Sequence, residues 1–175
     1  SAYIVSIMQF RIGFIINPLA GVGGTVGLKG SDGTSTVREA LARGAVPRAE
    51  ARAAAALEAL RPDRSEVIFL TWGGVMGGDL LSRLGLDCRI LGVAGDQTSS
   101  EDTRAAVAAL VGAGGEVLVF VGGDGTARDV LESLPSETPV LGSPAGVKMQ
   151  SGVFALTPAA AGQVLTMLVK GELVS

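Results

Sequence analysis

The chain has 175 residues, 47% hydrophobic and 18% charged, enough length and apolar content for one globular domain with its own core. Lys and Arg number 14 against 17 Asp and Glu, and the net charge of −3 speaks against a nucleic-acid surface. With no His, Ser-His-Asp and Cys-His catalysis and His-ligated metals are excluded. A single Cys, Cys88, excludes an internal disulfide framework and thiolate metal clusters and fits a reducing, cytoplasmic setting.

Taken in chain order, residues 1–7 read as an added leader, an upstream extension or a misread start, because Met8 followed by Gln9, Phe10 and Arg11 looks like a natural beginning. Residues 8–175 then form one domain. Arg11 to Ile16 is apolar after its first residue and stops at Asn17-Pro18, which predicts a strand and a turn. A Gly-rich stretch runs from Gly21 to Gly33. Pro47 to Leu60 is rich in Ala, Arg, Glu and Leu behind an initial Pro and predicts a helix. Glu66 to Thr71 predicts a second strand, Gly78 to Leu84 a short helix, and Cys88 to Val93 a third strand. Ser100 is the expected cap of a helix over Glu101 to Val111. Glu116 to Val121 predicts a fourth strand, Ala127 to Leu134 a helix, Pro139 to Leu141 a short fifth strand, and Pro158 to Lys170 a last helix. The longest uncharged run, Met149 to Val169, is interrupted by Pro158, Gln150 and Gln163. It reads as loop plus amphipathic helix rather than a membrane span. Apolar strands alternating with helices predict an α/β, three-layer, Rossmann-like fold with a mostly parallel sheet, whose ligands bind beyond the carboxyl ends of the strands.

The Gly-rich turns fall at those ends. The sharpest is Gly122-Gly123-Asp124-Gly125-Thr126, directly after the fourth strand. Glycines let backbone approach a phosphate, a helix start adds free N–H groups, Thr126 adds a hydroxyl, and Asp124 can accept a proton or hold Mg²⁺. The plainer alternative is a strand-to-helix turn with Asp124 as N-cap. After the first strand comes Asn17-Pro18-Leu19-Ala20-Gly21-Val22-Gly23-Gly24. It is neither a P-loop, because Lys29 follows Leu28 rather than Gly, nor a dinucleotide fingerprint, because Val26 stands where the third Gly belongs. That leaves either another phosphate-binding geometry or a surface loop. The turn from Gly142 to Gly152 carries Lys148, a compact point charge suited to phosphate, or else a solvated side chain. In a fourth turn, Trp72 to Asp79, Trp72 and Met76 could line a base pocket, with core packing preferred, and Asp96 could bind a hydroxyl or cap a helix, with capping preferred.

Together these residues resemble a known family. Gly122 to Thr126 looks like the signature of the superfamily that joins NAD kinases, diacylglycerol and sphingosine kinases, and phosphofructokinases. Asn17-Pro18 with Gly21 is similar to the turn shared by NAD kinase-like and lipid kinase domains. Asn17 to Gly33 together with Pro144-Ala-Gly-Val-Lys148-Met-Gln-Ser-Gly-Val-Phe154-Ala resembles, more narrowly, the ATP-NAD kinase-like family, with acetoin-catabolism protein X as a relative. The resemblance implies an NAD kinase or phosphofructokinase-like N-terminal domain using ATP or polyphosphate with Mg²⁺. Asp124 would be the base and a Mg²⁺ ligand. Asn17, Gly21, Gly23, Gly24, Gly122, Gly123, Gly125, Thr126 and Lys148 would face the nucleotide. Small-molecule nucleotides (ATP, NAD) are the implied partners, with no nucleic acid, no membrane and an expected homo-oligomer. Two departures stand out. Gln150 replaces the His often found there, and the later Asn-Glu motif of NAD kinases has no counterpart. The family's β-rich second domain is likewise not expected within 8–175. Two other readings stay open: a kinase for a different small hydroxyl substrate, and a non-catalytic nucleotide-binding or sensing domain.

Overall fold

Phe10–Ile16 forms a strand, β1, whose last five residues are all buried, because their apolar side chains are covered from both sides of the sheet. This is seen in a computed structural model that describes residues 9–19, 48–58, 66–95, 98–135 and 137–144. The helical stretch 48–58 is α1. Val67–Thr71 is β2, and a 3₁₀ turn at Gly74–Met76 leads into α2, Gly78–Arg83. β3 is Cys88–Ile90, α3 Ser100–Gly112, β4 Val117–Gly122, α4 Asp124–Ser133 and β5 Val140–Pro144.

The strands make one five-stranded sheet in the order β3-β2-β1-β4-β5, with every pairing parallel. β1 is central: Ile12 to Ile16 pair with Val117 to Val121 of β4, and Phe10 to Phe14 with Val67 to Thr71 of β2. The chain steps outward from β1 to β3, then returns to lie on the other side of β1. Right-handed crossovers in two directions put the helices on opposite faces. α1 and α2 accordingly cover one face, where Ala53, Leu57 and Leu81 meet Ile12, Phe14, Phe69 and Val119. On the other, Ala106, Val107 and Leu110 of α3 and Ala127 and Val130 of α4 meet Ile15, Leu70, Leu118 and Phe120. Mid-strand Gly13 sets the spacing on that second face. A methyl group there would lie 2.9 Å from Leu118 and 3.4 Å from Leu110, so α3 could not sit as close.

The α/β, all-parallel arrangement agrees with the expectation, and several element ends move. β3 stops at Ile90 rather than Val93, its regular pairing ending where Ile90 faces Thr71, the last residue of β2. The cap of α3 is Ser99, not Ser100. Its hydroxyl accepts from the Asp102 N–H while the Asp102 carboxylate accepts from the Ser99 N–H, a capping box. β5 extends to Pro144, paired with Gly122, where Gly142 lies flat against the Phe120 ring. α4 begins at Asp124 instead of Ala127, so Gly123, in extended conformation, is its N-cap and Asp124 its first helical residue. The expected helix over Pro158 to Lys170 lies outside the described residues. Away from the sheet edge, Arg83 of α2 bonds Glu50 of α1, and this hydrogen bond holds the guanidinium above its ordinary pKa. Among the described residues no helix is long and apolar enough to cross a membrane.

Candidate functional site

In an open parallel sheet the crevice lies at the carboxyl ends of the two strands from which the chain leaves in opposite directions. Here those strands are β1 and β4, which are neighbours and end at Ile16 and Gly122. The turn after β1 therefore stands beside the turn after β4, although the two are about a hundred positions apart in the chain.

Asn17 ties them together. Its backbone N–H donates to the Val121 carbonyl at 2.8 Å, carrying the β1–β4 ladder one residue past the strand. Its side-chain Oδ1 accepts from the Leu19 N–H at 3.1 Å, which bends the chain around buried Pro18. Its Nδ2 donates to the Thr126 Oγ1 at 2.8 Å. Thr126 is only 4% exposed and lies in the first turn of α4. A methyl group on Gly122 would fall 2.5 Å from Thr126 Oγ1 and 2.6 Å from its Cβ, so only glycine at 122 lets the threonine sit there.

Among the described residues no side chain caps the start of α4. The Ala127 N–H closes the first helical turn on the Gly123 carbonyl at 2.9 Å, so the N–H groups of Asp124, Gly125 and Thr126 precede any intrahelical acceptor. Gly125 is exposed, and a methyl group built on it meets none of the described residues within 4 Å. Packing among these residues does not require glycine there; its absent side chain leaves the first turn open. Uncapped N–H groups at the positive end of a ten-residue helix are suited to an anion.

The structure thus brings together Asn17, Gly122, Gly123, Gly125 and Thr126, with the Asp124 backbone among them. The Asp124 side chain lies outside what is described, as do Gly21, Gly23, Gly24 and Lys148. So do the Gly21–Gly33 run and Asp96. Asp124 as N-cap is corrected: Gly123 holds that position, because its extended backbone makes the turn and Asp124 already has helical geometry. Among the described residues no group of three His, Cys, Asp or Glu could hold a metal.

The fourth Gly-rich turn serves packing, as expected. Side chains at Gly73, Gly77, Gly78 and Gly92 would run into Val93, Thr71, Ile90 and Trp72 respectively. Gly77 also has φ +149, which other residues rarely adopt. Met76 is in the core, and half-buried Trp72 lies against Gly92. Sequence reasoning missed Thr71, whose buried hydroxyl donates to the Phe14 carbonyl at 2.7 Å and ties the end of β2 to β1. It also missed the Asn17–Thr126 bond. No local signal marks either one, since each joins residues far apart in the chain.

A family model described as the ATP-NAD kinase N-terminal domain matches residues 12–173. That span holds every strand and helix described above except the first two residues of β1. No curated protein and no solved structure gives a match.

Proposed function

This chain belongs to the ATP-NAD kinase N-terminal domain family, and on that premise we propose that it is the nucleotide-binding part of an ATP- or polyphosphate-dependent phosphotransferase acting on a hydroxyl of NAD or a related small molecule. The observation that carries the reading is the 2.8 Å bond from Asn17 to Thr126, which joins the two family-like turns at the switch point of the sheet. Strand order alone sets these turns side by side; the bond adds a specific polar contact between a side chain of one and a hydroxyl of the other.

In this reading the open first turn of α4 receives the donor phosphates on the N–H groups of Asp124, Gly125 and Thr126. Asn17 borders them on the β1 side, and Gly21, Gly23, Gly24 and Lys148 add contacts from the flanking turns. The acceptor hydroxyl oxygen attacks the terminal phosphorus, the bond to the bridging oxygen breaks, and Asp124 takes the hydroxyl proton. Such a transfer needs positioning and charge neutralisation more than covalent chemistry. Mg²⁺ bound with the donor would neutralise phosphate charge. Asp124 is the protein ligand proposed for it.

A thermal-shift panel of ATP, NAD, NADP and polyphosphate, each with and without Mg²⁺, tests the reading. A donor at 100 times its Kd adds about 2.7 kcal/mol, roughly 5–10 °C for a domain of this size. Asp124→Asn should keep the ATP shift and abolish NADP formation by the active protein. A panel with no shift contradicts the proposal, and full activity in Asp124→Asn contradicts the role of the carboxylate.

A further inference from the structure

A threonine hydroxyl in a helix commonly turns back and donates to a carbonyl of the preceding turn. Thr126 does otherwise. Its Oγ1 accepts from Asn17 Nδ2 at 2.8 Å, and among the described residues no carbonyl takes its proton. The hydroxyl has one proton and two lone pairs. With one lone pair occupied by Asn17, the proton remains to be given to another acceptor. Asn17 in turn is committed inside the protein: Oδ1 to the Leu19 N–H at 3.1 Å, Nδ2 to Thr126, and its backbone N–H to Val121.

We propose that Asn17 is a positioning residue that acts on the nucleotide through Thr126, its amide clamping the turn after β1 to the first turn of α4 and fixing the Thr126 hydroxyl as a donor. This rests on the phosphate-binding reading of the same crevice and changes the part that Asn17 plays in it. The amide does two separable things. Oδ1 shapes the turn, and Nδ2 sets the hydroxyl. Asp at position 17 would keep the first and reverse the second. A carboxylate oxygen in place of Nδ2 cannot donate, so Thr126 would spend its proton on residue 17 and have none for a ligand. Ser at position 126 would keep the acceptor that Nδ2 needs, whereas Val would keep the shape and lose the hydroxyl.

The experiment is a double-mutant cycle on the full chain, read both as ATP–Mg²⁺ affinity by calorimetry well below the melting point and as the thermal midpoint without ligand. Asn17→Asp and Thr126→Val should each weaken ATP by roughly 2- to 10-fold, the range of a single hydrogen bond. In the Thr126→Val background, Asn17→Asp should add less than 2-fold, and Thr126→Ser should stay near wild type. Losses that multiply in the double variant would mean that Asn17 contacts the nucleotide directly, and would overturn the proposal. If the wild type binds neither ATP nor polyphosphate, the phosphate-binding reading and the nucleotide half of this proposal fall together. The clamp is then judged by the thermal midpoints: non-additive losses sustain it and additive ones overturn it.

Discussion

At the scale of single residues, the site depends on where side chains are missing. Gly122 and Gly125 lie in the same turn and answer to different demands. Gly122 is required by the protein itself, since its Cα faces the Thr126 side chain with no room for a methyl. Gly122→Ala should therefore destabilise by about 1–3 kcal/mol, the usual magnitude of an overpacked site. Chemical denaturation measures it, and a loss below about 0.5 kcal/mol, the scatter of ordinary surface changes, would show that the threonine can move aside. Gly125 is required by nothing in the described protein. Thr71 shows the opposite case, a buried polar group that is fully used. Thr71→Val leaves the Phe14 carbonyl without its 2.7 Å donor and should cost about 1–3 kcal/mol by the same assay. An unchanged midpoint would mean that water or another group satisfies that carbonyl.

At the scale of elements, local chemistry in the sequence reaches the strands and most helices, because buried parallel strands are continuous apolar runs and these can be read directly. β4 is buried at all six positions, and its predicted span differs from the observed one by a residue at each end. The ends are harder to read. Ser99 and Ser100 are adjacent and chemically alike, and only the spacing to Asp102, three residues on, selects Ser99 as the cap. Ser99→Ala should lower stability by about 1 kcal/mol, shifting the melting temperature by roughly 2–4 °C, while Ser100→Ala should leave it in place. The reverse ranking would contradict the capping box. β3 ends early for a reason no local pattern carries: its regular pairing stops with β2 at Thr71, and beyond it only the Leu91 N–H to the Thr71 carbonyl and the Gly73 N–H to the Gly92 carbonyl join the two segments among the described residues. The start of α4 was displaced because two glycines lower local helix propensity, and in the fold the Gly123 carbonyl still closes the first turn. The strand order is not written in any one segment. That β4 returns to lie beside β1, and hence that Asn17 meets Thr126, follows from the crossovers taken together. For that reason the two turns were legible as separate motifs while the bond between them was not.

At the scale of the whole molecule, the doubly wound sheet sets the Asn17–Leu19 turn beside the Gly122–Thr126 turn, at a helix start that no described side chain caps. The chain matches the ATP-NAD kinase N-terminal domain over residues 12–173, and a helix start at the switch point of a parallel sheet is suited to an anion. The central claim, that phosphate occupies the open first turn of α4, is tested most directly at Gly125. A methyl group there touches no atom of the described residues, and alanine favours the helix over glycine by up to about 1 kcal/mol. Gly125→Ala should therefore melt at or above the wild-type temperature, yet calorimetric titration should find ATP–Mg²⁺ bound at least 10-fold more weakly, a loss of about 1.4 kcal/mol. Wild-type affinity in this fully folded variant would contradict the account.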